Sequence, residues 1–119
     1  MKVARGLVLL LMLGLSGGCF QQIQQEADKK FGDQSLKTSV ALIELHKLRY
    51  GLYPEKLSDL KFIGNWDPNA LKSVSYTVAK DRKSYYLEVT RGWVGKPTLK
   101  MPPEFWQGTG YNPLLKPKN

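Results

Sequence analysis

Apolar and polar residues follow several distinct rhythms along this chain. Residues 6–15 (GLVLLLMLGL) form an uncharged, leucine-rich run, and polar FQQIQQEADKK begins five residues later. The run has about half the roughly twenty residues that cross a bilayer, so it does not read as a permanent transmembrane helix. Between 20 and 34, Phe20, Ile23, Ala27 and Phe31 recur at steps of three and four, the spacing of one helix face. That predicts a helical stalk, with a flexible linker as the other reading. Gly32 and Asp33 interrupt the pattern, and Asp33 or Ser35 is expected to cap a new helix. Residues 36–50 (LKTSVALIELHKLRY) then carry helical spacing without Gly or Pro. Their apolar residues form two rows, one of Leu36, Val40, Ile43 and Tyr50, the other of Ala41, Leu45 and Leu48. A helix on a single surface needs only one stripe, so two rows predict burial on one side and a cover on another, from the domain itself or from a partner.

Gly51 is placed to end this helix in a left-handed cap, and Pro54 opens a short second helix, PEKLSDL, with Leu57 and Leu60 inward. Trp66-Asp67-Pro68-Asn69 reads as a turn. The period then changes to two. Residues 73–79 put Val74, Tyr76 and Val78 on one face, and residues 84–90 do the same with Tyr85, Leu87 and Val89. The polar KDRK between them makes a β-hairpin. A third strand is expected at residues 97–101. The proline-rich tail from residue 102 is irregular, with Phe105, Trp106 and Tyr111 expected to fasten it to the domain.

The chain has 119 residues, enough for one small domain. Lys2 and Arg5 precede the apolar run, and the small residues Ser16, Gly17 and Gly18 follow it, as in a bacterial secretory signal that is later removed. Cys19 is the one cysteine, so the chain forms no internal disulfide. That leaves a structural or free thiol, or a point of attachment.

Leu15-Ser16-Gly17-Gly18-Cys19 resembles the lipobox of bacterial lipoproteins, although that family usually carries its leucine where Ser16 stands. The resemblance implies cleavage before Cys19, a diacylglyceryl group on its sulfur and often a third acyl chain on its amine. Each buried acyl CH₂ contributes about 0.8 kcal/mol, so two or three chains hold a protein almost permanently. Because Phe20 and not an aspartate follows, the family's sorting rule favours the outer membrane if the host is Gram-negative. The partner so implied is the membrane itself, reached through the anchor on Cys19.

Residues 41–60 (ALIELHKLRYGLYPEKLSDL) resemble the corner of the type II secretion major pseudopilin and its type IV pilin relatives. The matching positions are Ile43, Gly51, Tyr53, Pro54, Leu57 and Leu60. The resemblance implies an α+β, pilin-like fold, in which one long N-terminal helix packs on a small antiparallel sheet. It makes Gly51, Tyr53, Pro54, Leu57 and Leu60 a folding device and not an active site. The chain departs from that family in lacking its processing site, and in having its apolar run before Cys19. An aspartate-rich calcium loop is also missing: after Glu88 the one acidic residue is Glu104, too few oxygen ligands for calcium. The expected plan is a signal over residues 1–18, a lipidated tether or stalk over 19–34, a pilin-like domain over 35–101 and a tail over 102–119.

Catalytic chemistry is not expected. His46 is the single histidine and lies mid-helix between leucines. No second His or thiol is available for zinc, no serine sits in a Gly-x-Ser-x-Gly elbow, and Gly108-Thr109-Gly110 is too short for a phosphate loop. No catalytic residue, metal or cofactor is therefore assigned. Two binding roles remain. One is a structural or adaptor part in the cell envelope, linked to a secretion or pilus system and meeting an envelope protein through the second helix row or Trp93, if Trp93 does not pack on its own sheet. The other follows from 18 Lys+Arg against 10 Asp+Glu, a net charge of +8. Lys80, Arg82 and Lys83 cluster in the hairpin loop, where they suit DNA, acidic polysaccharide or anionic lipid headgroups.

Overall fold

The computed structural model describes residues 20–61 and 63–118, and the expected signal and lipobox, with Cys19, lie outside the described residues. The architecture is α+β: one long helix packs on a small antiparallel sheet. Helix α1 is Lys2–Tyr50, with 20–50 as its described portion. Helix α2 is Asp67–Leu71, and the sheet consists of β1, Val74–Val78, and β2, Tyr85–Val89. Short 3₁₀ turns cover Leu57–Asp59, Pro103–Trp106 and Pro113–Leu115.

The stripe that α1 buries is wider in composition than its apolar row. Leu36, Val40 and Ile43 are buried, and so are Asp28, Gly32, Ser35 and Ser39 between and before them. All seven recur at helical spacing, and the small residues let the sheet and the 92–99 segment approach closely. The Ser39 hydroxyl donates to the Ser35 carbonyl at 2.7 Å, which satisfies it inside the interface. The expected break at Gly32 and Asp33 does not occur. Helix α1 continues through them because Gly32 is a packing position: a Cβ there would lie 2.8 Å from Cγ of Pro97. Asp33 pairs with Lys37 one turn on and caps nothing.

The second helix row is not covered. Leu48 is 82% exposed, Ala41 is exposed and Leu45 half-buried, and Tyr50 stands apart from the buried row. At the C-terminus, the N–H of Gly51 donates to the Lys47 carbonyl at 2.8 Å. Gly51 has φ +84°, the left-handed cap that an L side chain rarely adopts. Lys47 and Arg49 in the last turn complement the helix dipole.

After the corner, the expected PEKLSDL helix is one 3₁₀ turn that buries Leu60 and half-buries Leu57. The expected turn at 66–69 instead opens α2, with Pro68 in its first turn, where a missing N–H costs nothing. The hairpin forms as expected, with Val74 opposite Val89 and Val78 opposite Tyr85. Tyr85, Leu87 and Val89 all face the core.

Residues 97–101 are extended, with Pro97, Leu99 and Met101 turned inward and Thr98 and Lys100 outward, but they are not a strand. Pro97 has no N–H to give, and the edge of β2 at Tyr85 is taken by the tail. There the N–H of Tyr85 donates to the Gly110 carbonyl at 2.9 Å, and the N–H of Asn112 to the Tyr85 carbonyl at 2.7 Å. Phe105, Trp106 and Tyr111 do fasten the tail, with Trp106 stacked on Tyr111 at 3.7 Å.

Candidate docking surfaces

The sheet gives the head two ends. Gly92 meets Asp28 on α1, whereas Tyr53 and Gly110, which pack around Tyr85, meet Glu44. Strand β2 therefore runs antiparallel to α1 and ends beside Asp28, about 24 Å along the helix axis from Glu44.

At the Asp28 end, the carboxylate oxygen Oδ1 accepts from the N–H of Val94 at 2.7 Å and of Gly95 at 3.1 Å. The turn is closed by the N–H of Gly92 donating to the Gly95 carbonyl at 2.6 Å. A Cβ on Gly92 would lie 2.6 Å from the Asp28 carbonyl oxygen, so the backbones touch only because that residue is glycine. The two residues between the glycines face out: Trp93 is 59% exposed and Val94 64%. Trp93 thus does not pack on its own sheet.

At the Gly51 end, the corner residues find their places. Tyr53, Pro54 and Leu60 are buried, Leu57 packs beside them, and Gly51 is exposed. The Tyr53 hydroxyl donates to the Glu44 carboxylate, 2.8 and 2.9 Å from its two oxygens. The Tyr76 hydroxyl donates to the Pro54 carbonyl at 2.6 Å. His46 also belongs here: its Nδ1 donates to the Leu52 carbonyl at 3.0 Å, which requires the proton on Nδ1. Burial, reinforced by the neighbouring Glu44, pushes the Tyr53 hydroxyl well above the ordinary tyrosine pKa. Burial above all, with the Glu44 charge next, pushes Tyr85 up as well, and among the described residues its hydroxyl has no hydrogen-bond partner.

Of the candidate anion-binding residues, Arg82 is committed to the corner. Its Nε donates to the Tyr53 carbonyl at 2.7 Å, its own carbonyl accepts from the Tyr53 N–H at 3.0 Å, and Glu55 lies 3.8 Å from its Nη1. Lys80 and Lys83 remain exposed in the loop. The structure therefore divides the basic trio, leaving two lysines at the surface.

A third surface lies along the far edge of β2. The N–H of Thr90 donates to the Ser73 carbonyl, so the even-numbered residues of β2 bond β1 and Leu87 and Val89 turn their backbones away. Among the described residues, neither has a backbone partner on that side, nor do residues 97–101 opposite. Between the two segments opens a cleft of ≈ 640 Å³ that reaches Leu36 on α1. Leu99, Met101, Trp106 and Tyr111 line it, with Lys96, Lys100 and Lys116 around them. The Lys96 ammonium, 3.1 Å from Glu88, holds that carboxyl below the usual range. The sequence reading located both walls of this cleft but took the 97–101 wall for a third strand.

Among the described residues, no group of His, Cys, Asp and Glu is placed to hold a metal ion, and no helix is long and apolar enough to cross a membrane. Compared with models of known families, with curated proteins and with solved structures, the chain matches none of them.

Proposed function

We propose that this chain is a lipid-anchored envelope protein whose pilin-like head acts by binding another protein, as a structural part of the cell envelope, and without catalysis. The observation that carries the binding role is the β2 edge at Leu87 and Val89, open on a lysine-rimmed apolar cleft. Backbone N–H and C=O groups beside apolar walls are a template for a further strand, and partners that add one gain main-chain hydrogen bonds and side-chain pockets together. The anchor rests on the Leu15 to Cys19 motif, and the link to secretion or pilus machinery on the corner from Gly51 to Leu60. Anion binding at the hairpin is the weaker reading, since Arg82 is spent on the corner.

A photo-crosslinking residue at Thr98, exposed on the cleft wall, tests the binding role in intact cells. The reading expects one discrete protein adduct there, and none from the same residue at Leu48, on the uncovered helix row. Equal adducts at both positions, or none at Thr98, would count against it.

A further inference from the structure

The turn at residues 91–95 combines three properties that suit a lipid surface. Its backbone is fixed, by Asp28 and by its own closing hydrogen bond, while its two apolar side chains point to water. Fixing a Trp and a Val outward costs solvation but leaves little side-chain freedom to lose on docking. Its flanks are basic: Arg91 and, next to Asp28 on α1, Lys29 are exposed. The carboxylate nearest to it, Asp28, is buried and occupied by the two N–H groups, which leaves Glu26 as the exposed acid of residues 20–32. Finally, the turn is where the head points back along α1. Phe20, 68% exposed, adds an apolar side chain further along α1 towards residue 19.

We propose that the 91–95 turn seats on the anionic surface of the bilayer that holds the anchor, with Trp93 and Val94 in the interface and Lys29 and Arg91 against lipid phosphates. The proposal rests on the anchor reading above. Indole rings favour the boundary between headgroups and acyl chains, and basic side chains favour an anionic surface. Asp28 lies nine residues from Cys19, about 14 Å along the helix, whereas a headgroup layer is roughly 5–8 Å deep. The helix therefore leans towards the side of Asp28, on which the turn packs, with Phe20 about 80° to one side around its axis and Lys29 about 100° to the other. Leaning lowers the turn to the membrane and leaves the β2 cleft and the Gly51 end open to other partners.

The full native protein, purified with its own N-terminus and reconstituted into phosphatidylethanolamine–phosphatidylglycerol vesicles, provides the test. Tryptophan emission is compared between plain and acyl-brominated lipids, for the native chain and for Trp93→Phe. The difference isolates Trp93 from Trp66 and Trp106. Bromine is expected to reduce the Trp93 share at least about twofold, and replacing the anionic lipid with phosphatidylcholine to relieve that quenching. Protein that floats with the vesicles but shows unquenched Trp93 overturns this proposal and leaves the anchor standing. Protein that does not float overturns both. A Trp93 share that is shielded from water-soluble quenchers yet blind to bromine would mean a protein, including a second copy, covers the turn, and would overturn the lipid assignment.

Discussion

The two ends of the head are held by opposite means. At the Gly51 end, aromatic rings fill the interior and their hydroxyls are spent inward, on Glu44 and on the Pro54 carbonyl. At the Asp28 end, the buried element is a carboxylate that grips backbone N–H groups, and the apolar side chains face outward. The first arrangement gains stability from ring burial, and its exposed remainder is basic loop. The second uses one polar contact to hold a hydrophobic tip in water. Stability is thus concentrated at one end and a contact surface is presented at the other.

The largest expected effect breaks the Gly51 end. Tyr85 is fully buried between Tyr53 and Tyr76, with ring centroids at 4.8 and 5.8 Å. Tyr85→Ala should cost about 3–5 kcal/mol by denaturant unfolding. Tyr85→Phe should be neutral or mildly stabilising, because the lost hydroxyl has no partner. A Tyr85→Phe variant as damaged as Tyr85→Ala would show that the hydroxyl matters and the ring account is incomplete.

Asp28→Ala strikes the other end, and should cost about 1–3 kcal/mol by orphaning two N–H groups. Its signature is local: amide exchange at Val94 and Gly95 should accelerate while residues 85–87 keep their protection. Exchange rising equally in both places would mean that the two ends are not independent.

Alkaline titration separates the ends again. Burial raises the Tyr53, Tyr76 and Tyr85 hydroxyls, and raises Tyr86 to about 12. The unfolded chain loses these protons near pH 10 while the folded chain keeps them, so the unfolded state binds fewer protons and stability falls as pH rises. Stability should be level below pH 10 with respect to these groups. Above it, stability should fall by about 1.4 kcal/mol per pH unit for each raised tyrosine, with Tyr86 contributing until about pH 12. Urea midpoints measured between pH 8 and 12 would show the onset, and Tyr53→Phe should make the decline shallower.

Arg82 is expected to give the smallest effect. Arg82→Ala should cost about 1 kcal/mol through the Tyr53 carbonyl contact, with little from the exposed pairing to Glu55. Arg82 also holds a positive φ of 57°, so Arg82→Gly should be the milder of the two. The reverse order would mean that the backbone, not the guanidinium, closes the hairpin onto the corner.

The two ends were unequally legible in the sequence. Glycine, proline and a two-residue period announce themselves locally, so the corner and the hairpin were found with their buried residues. The Asp28 end was hidden because its signals are long-range. Asp28 reads as one more polar residue until Val94 and Gly95 arrive sixty-six and sixty-seven positions later. Gly32 reads as a helix breaker until Pro97 packs on it. The 97–101 segment failed differently: the backbone is extended there, as expected of a strand, but it makes no hydrogen bonds across the sheet. Leu48 and its row show a third limit, since apolar spacing says a face can be buried and not that the domain itself buries it.

Both functional proposals depend on what happens at Cys19, and the mass of the N-terminal peptide from protein extracted from its native membrane tests that most directly. The account predicts a peptide that begins at Cys19 and carries the added mass of a diacylglyceryl group, with or without a third acyl chain. An unmodified peptide beginning near residue 19, or one that retains residues 6–15, would contradict it.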